Sequence, residues 1–122
     1  MAGFNKLLDF FRNEGFRFEE KDSLIMFKIQ GCNYIAFKNE NNPFLQIVSI
    51  YDVEGNSRSK LLETCNTLNQ DRFVLKYTIN EGSDALWCSY EFEPNASTTT
   101  EDFMSVFSML EKGVSDFFKK LK

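Results

Sequence analysis

The chain reads as an α+β domain whose elements run α-β-β-β-β-α-β-β-α, an antiparallel sheet with its helices packed mainly on one face. Three observations lead there. The last quarter carries one apolar stripe at helical spacing, Phe103, Phe107, Leu110, Val114, Phe117 and Leu121. Two segments before it, 72–80 and 85–93, alternate apolar and polar residues as half-buried strands do. The connections between neighbouring strands are short, which favours antiparallel pairing and places the helices on the sheet. At 122 residues this is one domain, 1–122, long enough to bury a core.

Taken in order, residues 3–14 form a helix with Phe4, Leu7, Leu8 and Phe11 on one face and Gly15 as its stop. Phe10 lies off that stripe. A short strand at 16–20 follows, then strands at 23–30 and 33–39, with Gly31-Cys32-Asn33 as the turn between them. Residues 40–43 break the third strand and 44–52 make a fourth. A second helix spans 57–68, capped by Asn56 or Ser57, with Leu61, Cys65 and Leu68 on its buried face. Phe73, Leu75, Tyr77 and Ile79 are the inward set of the fifth strand. Leu86, Cys88, Tyr90 and Phe92 are that of the sixth, across a turn at 81–84. Thr98 with Glu101 has the capping-box spacing and opens the final helix. Gly113 sits at the edge of that helix's stripe, where it either admits a close backbone or is merely tolerated.

The composition narrows the chemistry. The chain has no histidine, which removes Ser-His-Asp and Cys-His catalysis and imidazole metal sites. Its three cysteines, Cys32, Cys65 and Cys88, form no C-x-x-C pair and fall in apolar patterns, as reduced core residues do. Cys65 has no adjacent base to make it a nucleophile. Glu91 with Glu93, and Glu101 with Asp102, are the nearest approach to a carboxylate pair; they read as a solvated strand edge and as acids favoured at a helix start. The six glycines are scattered and build no phosphate cradle. No catalytic residue, metal ligand or cofactor is therefore expected. A net charge of −4 without a basic stripe argues against nucleic acid, and Lys119, Lys120 and Lys122 simply complement the last helix dipole. No apolar run is long enough for a membrane span, and residues 1–6 lack the signature of a secretion signal, so the expected location is cytoplasmic. Asn95-Ala96-Ser97 matches a glycosylation sequon that carries little weight in that setting.

The sheet's second face is the unusual feature. A one-sided antiparallel sheet alternates cleanly, yet here the first four strands are apolar in both phases. With Ile25, Phe27 and Ile29 inward, Leu24 and Met26 point out. With Ile35 and Phe37 inward, Tyr34 and Ala36 point out. The inward set of the sixth strand leaves Ala85 and Trp87 outside. Either a helix wraps over this face, or a second copy of the chain covers it, or another protein or peptide does. Leu24, Met26, Tyr34 and Trp87, with Phe10 as an outlier, are the expected interaction residues, since exposed Trp, Tyr and Met mark interface cores. Truncating Trp87 would then cost on the order of 2 kcal/mol of association.

The run Leu61-Leu62-Glu63-Thr64-Cys65-Asn66-Thr67-Leu68-Asn69, followed by Arg72-Phe73 and an alternating strand, resembles the YbjN family of small bacterial proteins. Ile25-Met26-Phe27 and Tyr34-Ile35-Ala36-Phe37 fit the same pattern, and the resemblance extends over roughly 4–120. It implies a twisted antiparallel sheet with flanking helices, similar to type III secretion chaperones, whose members are generally dimers that bind segments of other proteins. YbjN-like proteins have been described as candidate sensory transduction regulators, and no catalytic residue carries over from them. Asn66 and Asn69, which carry the motif, read as structural residues that end the helix and bond freed backbone groups. The function expected is a non-catalytic interaction module, a regulator or chaperone-like protein acting as a homodimer. The alternative is a sensor of a small apolar ligand held between the last helix and the sheet.

Overall fold

The computed structural model describes residues 2–22, 24–37, 44–71, 75–80, 82, 84–95 and 97–122. Its elements are α1 (Ala2–Glu14), β1 (Phe18–Lys21), β2 (Leu24–Ile29), β3 (Cys32–Phe37), β4 (Leu45–Asp52), α2 (Arg58–Asp71), β5 (Leu75–Asn80), β6 (Ala85–Phe92) and α3 (Thr100–Leu121). The six strands make one antiparallel sheet in the order β1-β2-β3-β4-β6-β5. The expected order of elements is the one observed. The break at 40–43, the start of the fifth strand at Arg72-Phe73 and the Phe4 side chain lie outside the described residues.

Helix ends follow local chemistry. Gly15 takes φ +73°, and Phe16 N–H donates to Phe11 C=O at 3.0 Å, which closes α1 with a left-handed cap. Ser57 caps α2, its hydroxyl accepting from Lys60 N–H at 3.2 Å. The capping box of α3 falls one residue later than expected. Asp102 N–H donates to Thr99 Oγ1 at 3.2 Å and Thr99 N–H to Asp102 Oδ2 at 2.8 Å. Thr98 is committed elsewhere: its hydroxyl accepts from Asn95 N–H at 2.9 Å and so closes the preceding loop.

The core lies between the helices and one face of the sheet. The α3 stripe is buried as expected, widened by Val106 and Gly113. Phe107 meets Phe27 and Tyr34 at ring-centroid distances of 5.6 and 5.1 Å, and Phe117 stacks on Tyr77 at 6.1 Å. Each such ring contributes a few kcal/mol through burial. Two tyrosines of the sheet also donate to carbonyls of α3, Tyr34 to Phe107 at 3.3 Å and Tyr77 to Gly113 at 2.9 Å. Gly113 is a close-approach residue. A Cβ there would stand 2.9 Å from the Tyr77 hydroxyl and collide with the end of Leu75.

Phe10 departs from expectation. It is 4% exposed, stacked on Phe103 at 4.9 Å, while its neighbour Phe11 meets Phe27 at 4.6 Å. α1 sits in the corner between the sheet and α3, so it buries two faces, and a residue off the main stripe belongs to the second.

Asn69, in the last turn of α2, reaches the outer edge of β5. Its Nδ2 donates to Tyr77 C=O at 2.9 Å and its Oδ1 accepts from Tyr77 N–H at 2.8 Å. The side-chain amide thus stands where a neighbouring strand's peptide group would.

Candidate interaction face

The β2–β3 hairpin decides which residues reach the second face. Its loop is two residues, Gln30 and Gly31, at φ +50° and +84°. Positive φ at both positions is the type I′ geometry that suits strand twist. Ile29 therefore pairs with Cys32 and Phe27 with Tyr34. The expected three-residue turn at Gly31-Cys32-Asn33 would instead have set Ile29 opposite Ile35 and Phe27 opposite Phe37, and a slip by an odd number of residues exchanges the faces of a strand. As a result Tyr34 and Ala36 point inward, at 3% and 0% exposure, and Ile35 and Phe37 point outward.

Two expected interaction residues are thereby corrected. Tyr34 is a core residue that bonds to α3, and burial, the largest cause, holds its phenol well above the ordinary tyrosine range. Phe10 is likewise internal, for the reason given above. Leu24, Met26 and Trp87 do lie on the outer face.

The register lays that face out as a grid. Leu24 stands beside Phe37, Met26 beside Ile35, Ile35 beside Val48, and Ile50 beside Trp87. Among the described residues no helix lies over it. Val48 is nevertheless fully buried and Ser89 beside it nearly so. Their cover is the Phe37–Trp87 pair, whose rings come from β3 and β6 and stack across β4, 5.7 Å apart and 18° from parallel. Beyond this clasp the face opens. Met26 is 38% exposed, at the floor of a trough of about 600 Å³ that Arg17, Glu19, Lys28, Ile35 and Ile50 also line. Lys28 and Glu19 on one flank and Lys76 and Glu91 on the other are exposed. The arrangement, an apolar centre with a charged rim, is the anatomy of a protein contact.

Nothing in the described site activates a nucleophile. Burial pushes the Cys65 thiol up to about 11, so it stays protonated at neutral pH. No disulfide joins Cys32, Cys65 and Cys88, and Cys65 and Cys88 are buried. Among the described residues no three His, Cys, Asp or Glu side chains gather to hold a metal ion, and no helix is long and apolar enough to cross a membrane. Asp102 of the candidate acidic pair caps α3. Ile35 and Phe37 were missed as outward residues, and the signal that would have found them is Gln30-Gly31 read as a two-residue turn.

No protein-family model matches the chain and no curated protein matches it in sequence. Solved structures match its fold. YbjN of E. coli, a candidate transcription regulator, superposes with a TM-score of 0.70 at 13% identity, covering 94% of this chain and 87% of its own. A chain of the HopA1–SchA chaperone–effector complex gives 0.66 at 14% identity, covering 93% and 92%. An uncharacterised protein of Methanothermobacter thermautotrophicus gives 0.68 at 9% identity, covering 96% and 94%. Taken with the strand order and the helices on one face, these likenesses show that the chain has the YbjN-like, secretion-chaperone-like α+β fold.

Proposed function

We propose that the chain is a non-catalytic protein-interaction module, a bacterial cytoplasmic regulator or chaperone-like protein, that works as a homodimer joined through the outer face of its sheet. The observation that carries this reading is the apolar surface of Leu24, Met26, Ile35, Phe37, Ile50 and Trp87, over which no helix lies among the described residues. A rim of both charge signs supports it, because a face turned onto a second copy can then set unlike charges together. The structural neighbours include a component of a chaperone–effector assembly, so a segment of another protein is the natural second occupant of the same surface. A ligand sensor with its pocket under α3 has less support. Phe11, Phe27, Tyr34 and Phe107 fill that space, and the trough lies on the opposite face.

Light scattering on a size-exclusion column tests the proposal. The wild type should run as a dimer at micromolar concentrations, and Trp87→Asp as a monomer with an unchanged far-ultraviolet spectrum. A wild-type monomer at the highest attainable concentration, unaltered by Trp87→Asp, would count decisively against it.

A further inference from the structure

We propose that Asn69 is an edge guard: its carboxamide occupies the outward peptide groups of Tyr77 and so withholds the β5 edge from strand addition by another copy of the chain. The two bonds, 2.9 Å to Tyr77 C=O and 2.8 Å from Tyr77 N–H, reproduce the pair that an added strand would form. Tyr77 stands opposite Cys88 in the ladder with β6. In an antiparallel ladder alternate residues direct both peptide groups toward the partner strand or both away from it. Since Tyr77 directs both to Asn69, Leu75, Tyr77 and Ile79 are the residues of β5 whose peptide groups face the open edge, and Asn69 sits at the middle one. A strand can add across an edge only if successive outward positions are accessible, so a block at the centre interrupts the whole run. Exposed edges are sites of unwanted pairing, and proteins commonly blunt them with a charge or a cover. Lys76, exposed on the same strand, contributes the first, and Asn69 supplies the second. Asn69 is an exposed residue, and these two bonds fix its carboxamide at the edge.

The guard concerns the edge, and it is independent of association through the outer face. The test uses the full chain and keeps the two apart. In Asn69→Ala the Tyr77 amide should exchange with solvent about tenfold faster or more. The variant should also self-associate at least roughly tenfold more tightly than the wild type in sedimentation equilibrium. The added association should persist in Asn69→Ala combined with Trp87→Asp, because it runs along the edge. Should Asn69→Ala lose its fold, Asn69→Ser serves for the same readings: it keeps the position polar, but its short hydroxyl cannot span both peptide groups of Tyr77. An unchanged Tyr77 exchange rate, an unchanged association constant, or added association that vanishes with Trp87→Asp would each overturn the proposal.

Discussion

Ile47 and Val48 are neighbours on β4, both fully buried, and they are sealed in different ways. Ile47 faces the helices and belongs to the continuous core that α1 and α3 close. Val48 faces the other way and lies beneath two aromatic rings of its own sheet, Phe37 and Trp87. Helix α3 is tied down by its N-terminal capping box and, along its length, by the Tyr34 and Tyr77 hydroxyls. A pair of side chains is held by rotamer preference and by mutual contact of about 0.5–1.5 kcal/mol beyond area burial. The inner cover is thus permanent on the scale of folding, whereas the outer one can open by side-chain rotation alone. Apolar character tells only that a residue wants cover, and what supplies the cover separates a core from a contact surface.

Substitutions on the two faces can break or sharpen this contrast. The largest effect is expected inside: Phe107→Ala should cost about 3–5 kcal/mol in urea unfolding, through lost burial and the cavity left beneath α3. Gly113→Ala should follow at about 1–3 kcal/mol, despite the better helix propensity of alanine, because the added methyl meets Leu75 and Tyr77. A stabilised Gly113→Ala would mean that α3 does not sit so close to β5. On the outer face Phe37→Ala should cost only on the order of 1 kcal/mol in the monomer. If it costs as much as Phe107→Ala, the outer face is as fixed as the core and the contrast fails.

The smallest effect is a pH slope. Burial raises the Cys65 thiol from its ordinary 9.0 to about 11, so the unfolded chain gives up this proton first. The contribution to stability is complete below pH 9 and fades as the pH rises through about 11. Stability of the wild type should therefore fall more steeply over that window than that of Cys65→Ala, measured as the difference between their denaturation midpoints.

The elements that could be read from the sequence are those whose pattern admits one solution. The α3 stripe and the alternation of β5 each leave only one face to bury. β3 is different, because Tyr34 and Ala36 are as apolar as Ile35 and Phe37, so hydrophobic pattern cannot choose between two registers. The choice falls to Gln30 and Gly31, whose positive φ values make the shorter loop. Phe10 escaped for a related reason: periodicity along one helix reports one buried face, and the second face of α1 exists only once α3 lies beside it. That both sides of the first strands are greasy was plain in the sequence. Which side chains stand on the exposed side depended on one residue of loop length. The Asn69 clamp joins residues eight apart through side-chain geometry that no periodicity encodes.

The chain has a single tryptophan, and it is Trp87. Excitation near the red edge of its absorption band therefore lights one spot on the molecule, the clasp over β4, with no label attached. Its emission maximum and its quenching by iodide report how wet that spot is, so a titration cuvette is enough to see when the surface becomes occupied.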